Sequence, residues 1–71
     1  LEELRKEFLI QAGIAGWEVL VVAVRLPNGA IETITNYQEV KCKIDYYVNA
    51  YDEEFRLKAN PDVRIVGYML V

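Results

Sequence analysis

The stretch WEVLVVAVRLPNGAIETIT, residues 17–35, decides the fold. Its first half, Trp17 to Leu26, is dense in valine, whose branched side chain fits a pleated surface. Trp17, Val19, Val21 and Ala23 fall on one face and Leu20, Val22, Val24 and Leu26 on the other. A strand apolar on both faces is expected to be covered on both, one face by a helix and the other by the N-terminal helix or a partner subunit. Leu26-Pro27-Asn28-Gly29-Ala30 then reads as a turn, because proline presets its first position and Asn-Gly tolerates positive φ. Ala30 to Thr35 is the returning strand. Glu32, Thr33 and Thr35 make it the more polar of the two and a candidate sheet edge.

Working outward, the segment after the hairpin carries the strongest periodic signal. Val40, Ile44, Tyr47, Val48, Tyr51 and Phe55 recur at spacings of three and four, which predicts a long helix from Tyr37 to about Lys58. Asn36 suits its N-cap, with Glu39 as capping-box partner. Lys41 with Asp45, Asp52 with Arg56, and Glu54 with Lys58 are expected as exposed i,i+4 pairs. Ala59-Asn60-Pro61-Asp62 is expected to stop the helix. Val63 to Val71 is the last strand, with Val63, Ile65, Met69 and Val71 on one face and Arg64, Val66, Tyr68 and Leu70 on the other. On the N-terminal side, Leu1, Leu4, Phe8 and Ala12 predict a short helix that ends in the loop Gly13-Ile14-Ala15-Gly16.

The expected fold is therefore α+β, in the order α-β-β-α-β. Its three-stranded sheet has the proposed order 2-1-3, with the most apolar strand central. Residues 17–71 form a single ββαβ domain. Residues 1–16 read as a helix and glycine-containing linker ahead of it. Because the chain opens on Leu1 rather than Met, those residues suggest a trimmed or non-native start.

Composition bounds the function. The chain has 71 residues, room for one domain with a thin margin of stability. It has no histidine and one cysteine, Cys42. That excludes an internal disulfide, Ser-His and Cys-His dyads, and gives little basis for zinc. No metal or cofactor is expected, and no enzymatic activity. Cys42, between Lys41 and Lys43, reads as a passive thiol. Net charge is −3 without a basic run, so nucleic acid is not an expected partner. The apolar run Val19–Val24 is far short of a membrane span, and the expected location is the cytoplasm. Hydrophobic residues make up 54% of the chain, more than so short a chain hides internally, which points to a homodimer.

Binding of another protein is the function this leaves. Tyr46 falls off the helix stripe. With Asn49, Glu53 and Arg56 it forms the expected partner-binding surface, since tyrosine joins a large ring to a polar tip. The acidic run Asp52-Glu53-Glu54 reads as a solvated helix face. Val63, Ile65, Met69 and Val71 form the expected dimer seam, by edge pairing or by face-to-face packing of sheets. A structural assembly module is the alternative. So is a binder of a signalling nucleotide that uses Arg25, Arg64 and Lys58, the first two on strands expected to pair.

From residue 19 onward the stretches VLVVAVRLPNGAIETITN and KIDYYVNAYDEEFRLKANPDVRIVGYMLV resemble small proteins encoded by phages and prophages of Gram-positive bacteria. In size and character the chain is similar to small Bacillus-phage inhibitors of bacterial defence systems, the Hachiman anti-defence type included. The resemblance does not extend to LEELRKEFLIQAGIAG at the start. It implies an inhibitor that binds and blocks a host protein in the host cytoplasm, and it carries over no functional residues.

Overall fold

A computed structural model describes residues 2–14, 16–37 and 39–71. The elements run α1 (Glu2–Ala12), β1 (Leu20–Arg25), β2 (Ile31–Asn36), α2 (Val40–Ala50), β3 (Arg56–Leu57) and β4 (Asn60–Leu70). The class is α+β, with two helices and one antiparallel sheet in the order β2-β1-β4-β3. The expected order of three strands is thus kept, with β1 between its hairpin partner and the last strand. The fourth strand, β3, is a correction: it lies where the periodicity predicts helix.

The first hairpin closes as its residues dictate. Gly29 N–H donates to Leu26 C=O at 2.9 Å, Leu26 N–H donates to Ala30 C=O at 2.8 Å, and Gly29 has φ 87°. This is a three-residue loop ending in a left-handed residue. The Asn28 side chain accepts from Ala30 N–H at 3.0 Å, an Asx-type turn.

The long helix breaks in two places relative to the sequence reading. Its start moves from Tyr37 to Val40. Asn36 ends β2 instead, and its Nδ2 donates to Leu20 C=O at 3.2 Å. The cap position is Glu39, at φ 52° and ψ 43°, with no side-chain capping bond. The expected Asn36–Glu39 capping box does not form.

The helix end moves from Lys58 to Ala50, because Asp52 offers the backbone a competing set of bonds. Its Oδ1 accepts from Glu54 N–H at 2.8 Å and from Arg56 N–H at 2.9 Å. Asp52 N–H donates to Arg56 C=O at 2.9 Å, and Phe55 N–H to Asp52 C=O at 3.0 Å. Phe55 itself sits at φ 61°. Residues 52–56 therefore repeat the two backbone bonds of the 26–30 loop, with phenylalanine where the first loop has glycine. Tyr51 bridges Leu57, and Leu57 pairs with Asn60 across the turn at Lys58 and Ala59. Asn60 and Pro61, expected as a helix stop, open β4 instead.

What holds Phe55 in a conformation disfavoured for a side chain is the core. Phe55 is fully buried and meets Phe8 edge to face, with ring centroids 5.5 Å apart. Phe8 in turn meets Tyr68 at 5.0 Å. Leu20, Val22, Val24, Val40, Ile44, Tyr47, Tyr51 and Ile65 complete the buried cluster. Phe8 makes α1 part of the packed body, with Leu4 and Ala12 beside it. Leu1, the first residue of the expected stripe, and Ala15, in the expected loop, lie outside the described residues.

Candidate binding surface

Both helices contribute to one side of the sheet. β1 turns Leu20, Val22 and Val24 into the core, so Val21, Ala23 and Arg25 face the other way. Strand register then builds the outer side residue by residue. Met69 lies opposite Val21, Gly67 opposite Ala23 and Arg64 opposite Arg25. On the other flank Thr35, Thr33 and Ile31 lie opposite the same three. Val71 extends the surface through a reciprocal pair of backbone bonds with Val19, at 3.0 and 3.1 Å. Met69 is 55% exposed, Val71 61% and Ile31 55%. Of the two expected covers for the second face of β1, the N-terminal helix is corrected: among the described residues both helices pack on the same face, and the other face is left for a partner subunit.

The expected dimer seam is split by a β-bulge. Ala23 pairs with Gly67 and Val24 with Ile65, which leaves Val66 as the extra residue of β4. One added residue reverses the alternation. Before it, Ile65 and Val63 point inward; after it, Tyr68 and Leu70 do, and Met69 and Val71 point out. Val63, Ile65, Met69 and Val71 therefore do not share a face. Gly67 was the available signal, because an isolated glycine in a strand pattern often marks a bulge.

The four expected partner-binding residues are also divided. Tyr46 and Asn49 are exposed on α2, with the Tyr46 ring edge-on to Tyr47 at 5.2 Å. Glu53 is exposed in the 52–56 loop, not on a helix. Arg56 belongs to β3 and is half-buried, its Nη2 paired with Glu54 at 2.6 Å. Its Nε stands 3.5 Å from Asp52 Oδ2, an ion pair without a hydrogen bond. The expected Asp52–Arg56 pair thus forms, in a turn rather than along a helix. The acidic run is part of that turn as well.

The charged end of the outer surface is arginine. Arg25 and Arg64 stand directly opposite each other, and Arg56 pairs with Arg64 on the next strand. Ion pairs among the described residues involve Arg56 and leave the other two guanidiniums unmatched.

Electrostatics elsewhere follow local bonding. The backbone N–H of Arg56, joined by that of Glu54, holds the Asp52 carboxyl below the ordinary carboxylate range, against a smaller opposing effect of burial. Burial pushes the Tyr51 phenol up, with the Tyr46 and Tyr47 phenols adding to it. Burial and then Glu7 push Tyr68 up. Among the described residues no three His, Cys, Asp or Glu side chains converge as metal ligands. Cys42 is an exposed free thiol. A cleft of about 240 Å³ lies between the end of α1 and the start of α2, lined by Ile14, Trp17, Val40, Lys41 and Ile44 among others. It is small for a ligand site, and Arg25, Arg64 and Lys58 do not line it. Among the described residues no helix is long and apolar enough to cross a membrane.

No protein-family model matches the chain, and no curated protein or solved structure matches it either.

Proposed function

We propose that this domain is a non-enzymatic protein-binding module whose working surface is the outer side of the sheet. The observation that carries the reading is the apolar strip of exposed Met69 and Val71 with half-buried Val21, while exposed Ile31 stands at the other end of the surface, opposite Arg25. An exposed contiguous apolar surface favours a protein partner, since burying it releases water at about 25 cal/mol per Å². The unmatched Arg25 and Arg64 at one end favour a partner that brings carboxylates to that end. Tyr46 and Asn49 on α2 form a secondary contact area. The resemblance to phage-encoded inhibitors gives the partner its proposed identity, a bacterial host protein of a defence system, blocked by occlusion in the cytoplasm.

The test is affinity capture from a Gram-positive bacterial lysate, with wild type beside Met69→Asp and Tyr46→Ala. Enrichment of one protein by wild type and Tyr46→Ala, lost with Met69→Asp, supports the reading. Capture that is insensitive to Met69→Asp, or no specific capture at all, contradicts it.

A further inference from the structure

We infer that two copies of this chain join through the free edge of β2, in antiparallel register centred on Thr33, to make one continuous eight-stranded sheet. This goes beyond the proposed function by assigning where the self-association expected from composition occurs, and it rests on that function only for its biological purpose.

Five of the six residues of β2 are exposed, on both faces of the sheet, including Ile31 and Ile34 at 55% and 42%. The helices that cover β1 leave β2 open. Alternation in the ladder fixes which backbone groups are free. Val19 and Val71 exchange bonds, so the odd-numbered residues of β1 face β4 and Leu20, Val22 and Val24 face β2. Their partners Asn36, Ile34 and Glu32 therefore point back at β1. The N–H and C=O groups of Ile31, Thr33 and Thr35 point away from the sheet.

Natural sheets protect such edges with charged side chains, lysine above all, or with proline, bulges or very short strands. The opposite edge of this sheet has such protection. β3 is two residues long, and the rest of β4 is interrupted at Val66 and borders a groove shared with Leu4, Glu7 and Gln11 of α1. β2 has no proline, no lysine and no register shift. Its single charge is Glu32.

Self-complementarity selects a second copy as the occupant and selects the register. A two-fold axis at Thr33 pairs Thr33 with its symmetry mate and Ile31 with the partner's Thr35. All three outward residues are then used, for about six backbone bonds. Glu32 falls opposite the partner's Ile34, so no like charges oppose. A register centred on Glu32 would set two carboxylates face to face, which is destabilising, and would leave Thr35 unused. One centred on Ile34 leaves Ile31 with no β2 residue opposite it. Pairing about an axis normal to the sheet also keeps both outer surfaces on the same side, so the binding strip doubles into one surface.

Light scattering coupled to size-exclusion chromatography reads the outcome. Wild type is expected at twice the 8.2 kDa of one chain. Thr33→Lys and Thr33→Glu each set like charges against each other across the axis, and each is expected to raise the dimer Kd about fivefold. Mixing the two is expected to restore dimer as a Lys–Glu heterodimer. Thr33→Pro removes an N–H that points away from β1, so it is expected to stay folded by circular dichroism and to elute as monomer. A wild-type monomer at millimolar concentration, or a dimer unmoved by Thr33→Pro and by either charge, overturns the inference. Met69→Asp lies two strands from this edge and is expected to leave the dimer intact, so failure here is distinguishable from failure of the binding surface.

Discussion

Phe55 is asked to do two things that conflict, and replacing it separates them. Its ring is fully buried against Phe8, while its backbone holds φ at 61°. Truncating a buried phenylalanine to alanine costs about 3–5 kcal/mol. A domain of this length holds only about 4–10 kcal/mol in total, so Phe55→Ala sits near the limit of folding. Phe55→Gly loses the same ring, yet relieves the left-handed strain of about 1–2 kcal/mol. Glycine's larger unfolded-state entropy takes back about 0.5–1 kcal/mol. The expected order is therefore phenylalanine, then glycine, then alanine, with glycine above alanine by roughly 0.5–1 kcal/mol. At an ordinary strand or helix position the order of glycine and alanine is reversed. Urea unfolding followed by circular dichroism measures it, with sodium sulfate added to keep both variants folded at zero denaturant. Alanine more stable than glycine at position 55 would refute the repeated-loop account.

The other expectations concern the same turn and the two sides of the sheet. Asp52→Ala removes the acceptor for two backbone N–H groups and is expected to cost about 1 kcal/mol, whereas Asp52→Asn keeps a side-chain oxygen and costs less; thermal unfolding compares them. Because the folded Asp52 pKa is lowered, its contribution is present above the ordinary carboxylate range and lost as pH falls through the depressed value. The acid limb of a stability profile should therefore be shallower in Asp52→Asn than in wild type. Ile65→Ala, inside the core, is expected to cost about 2–5 kcal/mol, and Met69→Ala, four residues along the same strand, less than about 0.5 kcal/mol. Equal losses at the two positions would contradict the bulge.

Much of this was legible in the residues. The hairpin, the central place of the valine-rich strand and the edge place of Ile31–Asn36 follow from composition and turn chemistry. The inward stripe of Val40, Ile44 and Tyr47 was legible too, and Tyr51 and Phe55 are buried as their spacing implied. They reach the core by another route, because Asp52 side-chain bonds outcompete a helical turn that spacing cannot distinguish from a loop. The seam residues failed for a related reason. Period-two counting assumes that no residue is inserted, and Val66 is inserted. The open face is half legible: a doubly apolar strand calls for cover on both sides, and with both helices on one side of the sheet the other is left to a partner.

In the proposed function the outer side of the sheet does the binding. Amide chemical-shift mapping of the nitrogen-15-labelled protein, with the captured partner added, tests it most directly. The largest changes are expected at Val21, Arg64, Met69 and Val71, with Cys42, Tyr46 and Asn49 less affected. Changes concentrated on α2, with the outer strands unmoved, would contradict it.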